Sequence, residues 1–81
     1  MPAKGQKLLV DFLRAELAIG FTFLRSAELA VSFEHLDHAG QAKGRAGKAA
    51  DSVRQFLGQV SDREARVEVG DELARLERRI G

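Results

Sequence analysis

The residues best suited to chemistry in this 81-residue chain are gathered at Glu34-His35-Leu36-Asp37-His38. On a helix His35 and His38 share a face, as do Glu34 and His38, and such a mixture of imidazole and carboxylate can ligate zinc or iron. Di-iron bundles repeat Glu-x-x-His on two helices, whereas here Asp37 stands three residues after Glu34 and no further histidine follows His38. Ser32, His35 and Asp37 supply the residue types of a hydrolytic triad, but a single helix cannot make them converge. Glu16 and Glu34 also fall inside a broad apolar stripe. A buried carboxylate without a partner is costly, so each needs an arginine, a backbone amide or a functional cavity, with Arg45 and Arg66 as candidate partners. Structural pairing accounts for both glutamates without a general acid or base. No residue is assigned as catalytic, cofactor-binding or metal-ligating, and the chain is read as a non-enzyme without a cofactor.

A second group runs from Gly40 to Lys48. Its glycines and basic residues superficially resemble a phosphate loop, but Gly40 to Gly47 is too long a spacing, Ala49 replaces the hydroxyl and no strand precedes it. As a basic face, Lys43, Arg45, Lys48 and Arg54 supply the alternative reading of a small nucleic-acid-associated protein. Lys43, Arg45 and Lys48 point around the helix in different directions, and no aromatic residue is interleaved for stacking. A metal-binding bundle at Glu34, His35 and His38 is the second alternative.

The elements that must position these residues are helical. Proline occurs only at Pro2, β-branched alternation is absent, and Ala, Leu, Glu, Arg and Lys dominate. Helix 1 is expected over about residues 8–38, with Leu9, Phe12, Leu13, Leu17, Gly20, Phe23, Leu24, Ala27, Ala30 and Val31 on one wide apolar face. Gly40 is the expected left-handed residue closing it. Helix 2 is expected over about 41–59, with Ala42, Ala46, Ala49, Val53, Phe56, Leu57 and Val60 as its apolar stripe. Ser61-Asp62-Arg63-Glu64 reads as a capping box for helix 3, expected over about 62–79, whose seam is Ala65, Val69, Leu73, Leu76 and Ile80. Phe21, Leu29, Phe33 and Leu36 form a second strip on helix 1 that helix 3 or a partner must cover.

Short connections make this an all-α, up-down-up three-helix bundle in a single domain. Helix 1 would extend about 46 Å, against roughly 27 Å for each of the other two. Helix 2, returning from Gly40, would therefore run out near Gly20. The residues left without cover are Leu8, Leu9, Phe12, Leu13, Glu16, Leu17 and Ile19, and an exposed apolar surface of that kind marks an interface. The expectation is a two-fold homodimer completing the bundle through the amino-terminal half of helix 1. A break at Gly20, with Thr22 capping a new helix, is the alternative to one continuous helix.

Bulk properties agree with a small assembly unit. A chain this short buries only about 60 to 65% of its unfolded surface, so a partner is an attractive source of stability. With no cysteine, disulfides and thiolate metal sites are excluded, which fits a cytoplasmic setting. Asp11, Arg14 and Glu16 interrupt the apolar stretch after the basic amino terminus, so neither a signal peptide nor a membrane span is expected. The net charge is +1 and the pI near 8.2, short of the strongly basic balance of a dedicated nucleic-acid binder.

Leu29, Ala30 and Phe33, followed by Gly40 and then by Ala42, Ala46, Ala49 and Phe56-Leu57, resemble the helical hairpin of tetratricopeptide repeats. The three-helix whole is similar to MIT domains. There is no second repeat, and the repeat consensus tryptophan and turn proline are missing. The resemblance implies a non-catalytic module for protein-protein interaction or assembly, with peptides or amphipathic helices as ligands, and transfers no specific binding residues.

Overall fold

The computed structural model describes residues 3–81, with side chains from Gly5 onward; Pro2 and the Lys4 side chain of the basic amino terminus lie outside the described residues. Three α-helices follow in order, α1 Ala3–Ser32, α2 Leu36–Leu57 and α3 Arg63–Ile80, and no strand occurs among the described residues. All three pack on one another in an elongated bundle of 51 × 18 × 15 Å. The expected all-α, up-down-up three-helix architecture is the one observed.

The first turn lies six residues earlier than the expected closure at Gly40. Glu34 takes the left-handed conformation, with φ 62°. Its amide donates to the Val31 carbonyl at 3.0 Å, and the His35 amide donates to the Ala30 carbonyl at 2.7 Å. These two bonds are a Schellman closure with glutamate where glycine is usual. Ser32 turns its hydroxyl back onto the Glu28 carbonyl at 3.2 Å. Gly40 instead lies exposed in the second turn of α2. A Cβ in the left-handed region costs about 1 kcal/mol or more, so Glu34→Gly should stabilise the fold by about 1 kcal/mol in urea denaturation. A loss of stability would show that the glutamate side chain holds the turn.

Moving the turn changes what α1 is covered by. Because α2 begins at Leu36, its far end reaches down to Phe12, where the Phe56 ring meets the Phe12 ring edge-on at 6.0 Å between centroids. The loop beyond it is clamped by a residue that sequence reasoning missed. Gln6 Nε2 donates to the Gln59 carbonyl at 3.2 Å, and Gln6 Oε1 accepts the Ser61 amide at 2.9 Å. The amide of Ser61 is thus engaged with α1, and the expected capping box is replaced by a cap from Asp62, whose carboxylate accepts the Ala65 amide at 3.2 Å.

Helix α3 then returns parallel to α1. Arg14 pairs with Glu68 at 3.0 Å near one end, and Arg79 makes two bonds to Glu28, at 2.9 and 2.8 Å, near the other. Exposed pairs of this kind contribute little energy, but they mark the register. The core combines Leu13, Leu17 and Leu24 with Ala46, Ala50 and Val53, Val60, and the α3 seam Val69, Leu73 and Leu76. Ala65 and Ile80 flank that seam as expected.

Helix α1 is continuous through Gly20, and Thr22 is an interior residue whose hydroxyl donates to the Ala18 carbonyl at 2.9 Å. Gly20 is buried because the other helices come in too close for a side chain. A Cβ there would stand 2.6 Å from Leu76 Cδ2 and 3.4 Å from Ala49 Cβ. The glycine therefore marks the three-way crossing of the bundle rather than a break.

Candidate functional site

The expected interface residues do not share one environment. Leu13 and Leu17 are fully buried in the chain's own core, and Leu9 packs against it. Glu16 is half-buried at the rim, while Leu8, Phe12 and Ile19 are exposed. The premise that this half of α1 lacks cover from its own chain is thus corrected: α2 is displaced toward the amino terminus and the α2–α3 loop reaches Gln6. The two glutamates sort differently too. Glu34 sits exposed in the turn instead of an apolar stripe, and no charged residue is buried among the described residues. Neither Arg45 nor Arg66 pairs with them.

The apolar surface without cover lies at the opposite end. Leu29 is 55% exposed, Val31 56%, Phe33 72% and Leu36 66%, all within eight residues spanning the α1–α2 turn. The cause is the reach of α3, which ends at Ile80, with Arg79 bonded to Glu28 one turn before the end of α1. Beyond that level α1 and α2 form a two-helix end without a third wall. One side of it carries a shallow apolar depression of about 520 Å³, lined by Leu29, Ala30 and Phe33 with His35 and His38 at its edge. The other side carries a smaller one of about 230 Å³, lined by Leu24, Ala27, Val31, Ala39 and Lys43 beside Arg79. The second strip expected on α1 is accordingly split: Phe21 packs against the core, while Leu29, Phe33 and Leu36 stay open.

The polar groups nearby do not assemble a reactive centre. Ser32 is bonded to its own helix, His35 stands at the start of α2 without a side-chain capping bond, and Asp37 and His38 are exposed. Glu34, His35 and His38 do not converge, and among the described residues no three histidine, aspartate or glutamate side chains are grouped as metal ligands. This end can exclude water from an apolar contact; it holds no paired acid and base.

The expected basic face of α2 is dispersed in the same way. Arg54 is held between Glu77 and Asp51, and its pKa is raised first by the hydrogen bond from its guanidinium to Glu77 and then by that to Asp51. Arg45 lies over the Phe23 ring, 5.5 Å from its centroid. Only Lys43 and Lys48 of the four remain without a carboxylate or ring partner among the described residues. No helix among the described residues is long and apolar enough to cross a membrane.

Compared with known protein families, curated proteins and solved structures, the chain matches none of them.

Proposed function

We propose that this protein is a non-catalytic assembly module that self-associates, in a two-fold homodimer, through the α1–α2 hairpin end. The observation that carries this reading is the exposure of Leu29, Val31, Phe33 and Leu36 within eight residues about the α1–α2 turn. Large apolar side chains left open this densely mark a contact site. A second copy is the simplest occupant. It presents the same two-helix end, and two such ends related by a two-fold axis complete a four-helix contact at the level where α3 is absent. A net charge of +1 opposes association very little.

Sedimentation over a concentration series tests the reading. The unmodified chain should show a monomer–dimer equilibrium, and Phe33→Ser combined with Leu36→Ser should shift it to monomer, weakening association at least tenfold. Both positions are exposed, so the variant should keep its helical content and, at concentrations too low for association, the melting temperature of the parent. A chain that stays monomeric at the highest concentrations, or a variant that dimerises as well as the parent, would overturn the proposal.

A further inference from the structure

One strongly charged patch borders the hairpin end, where α3 closes against α1. Phe21 and Arg25 are one helical turn apart on α1, with Glu28 a further turn along. Arg75, Arg78 and Arg79 occupy the facing surface of α3 at the same kind of spacing. Phe21 lies between two depressions. One, of about 450 Å³, is lined by Phe21 with Arg75, Arg78 and Arg79; the other, of about 340 Å³, brings Arg25 to the same ring beside Arg79 and Glu28. Glu28 is the only carboxylate lining either, and it is engaged by Arg79.

Arg25, Arg75 and Arg78 are exposed and, like Arg63 and Arg66, have no carboxylate within 4.0 Å among the described residues, while Arg14 and Arg79 each hold one and Arg54 holds two. What sets this patch apart is that such arginines are grouped beside an aromatic ring. Cations in the last turn of a helix complement its dipole, which explains Arg78 and Arg79. It does not explain Arg75 a turn earlier or Arg25 on another helix. The aromatic ring also differs from its neighbour: Phe23 already has the Arg45 guanidinium over its face, whereas no cation is stacked on Phe21 among the described residues.

We infer that this patch is a nucleotide-binding site, in which the Phe21 ring supports a base, Arg75 and Arg78 hold a phosphate on one side of the ring, and Arg25 meets a neighbouring phosphate of a strand on the other. The guanidinium fork matches phosphate oxygens in pairs, and an unoccupied aromatic ring beside such forks is the arrangement that holds single-stranded nucleic acid. Each depression is large enough for a small ligand. The same chemistry serves a free nucleotide or a nucleotide within a strand, and the experiment distinguishes the two.

Fluorescence anisotropy of the full chain with a labelled single-stranded decanucleotide tests the inference, with AMP, inorganic phosphate and polyglutamate as competitors. The strand should bind at low salt and weaken with a log–log salt slope of about −1.4, as expected for two phosphate contacts on a single strand. Arg75→Ala combined with Arg78→Ala should lose at least tenfold, and Phe21→Leu, which keeps an apolar side chain against the core, roughly tenfold. Lys43→Ala combined with Lys48→Ala should change binding less than twofold. Displacement by AMP identifies the free nucleotide as a ligand; a strand that AMP does not displace identifies the polymer. The inference is overturned by absence of binding at low salt, by polyglutamate competing as well as nucleotides, by Phe21→Leu binding normally with intact helicity, or by the lysine pair mattering as much as the arginines.

Discussion

Replacing Gly40, Gly44 and Gly47 together by alanine is expected to raise the melting temperature by about 10 to 15 °C. All three lie inside α2, and nothing stands within 4 Å of a Cβ built at any of them. A glycine inside a helix costs about 0.5 to 1 kcal/mol relative to alanine, mainly through the freedom it retains in the unfolded chain. The new methyl groups meet no neighbour within 4 Å, so the effects should add, to about 2 kcal/mol or more. In a domain of this size 1 kcal/mol corresponds to about 4 to 8 °C. Thermal unfolding followed by circular dichroism reads the outcome. An unchanged or lower melting temperature would show that these positions do not lie on an open helical face.

Gly20 supplies the opposite case in the same molecule. There the added methyl would meet Leu76 Cδ2 at 2.6 Å, and Leu76 is fully buried in the core. The propensity gain is then set against overpacking, which costs about 1 to 3 kcal/mol.

The second large effect is expected at Leu17. Leu17→Ala should cost about 3 kcal/mol, because the side chain is fully buried in the core and large-to-small changes there lose both transfer energy and cavity contacts. Ile19→Ala, two residues away on the exposed side, should change stability by only about 0.5 kcal/mol. A domain of this length has a total stability of about 4 to 12 kcal/mol, so the Leu17 variant should be visibly weakened in urea. If Leu17→Ala altered the association state while leaving the monomer's stability intact, the placement of Leu17 inside its own chain's core would be wrong.

Much of the architecture is legible in particular residues. The seam Val69, Leu73 and Leu76 is read directly from its helical spacing, and the structure buries it. The alanines of α2 are read in the same way and are buried together with Val53. The ends of helices are less legible, because a cap depends on which local bonds are made. Ser61 and Asp62 are both good N-caps by type; Gln6, distant in sequence, takes the Ser61 amide and leaves the cap to Asp62. The first turn is hidden for a related reason. Glutamate is a good helix former and a poor left-handed residue, so nothing at Glu34 announces a closure, while Gly40 advertises one that is not used.

By itself the sequence determines that this chain is helical, that it forms three helices, and which positions along α2 and α3 face inward, because those properties follow from local propensity and from the period of the apolar residues. Only the tertiary structure decides where the chain reverses. The Schellman bonds at Glu34 set that point, and through it the alignment of α2 against α1. A shift of a few residues in the turn moves the far end of α2 from Gly20 to Phe12. Leu13 and Leu17 are thereby drawn into the chain's own core, and the open apolar surface passes to Leu29, Phe33 and Leu36. Which residues remain for a partner is a property of that alignment, and no single helix contains it.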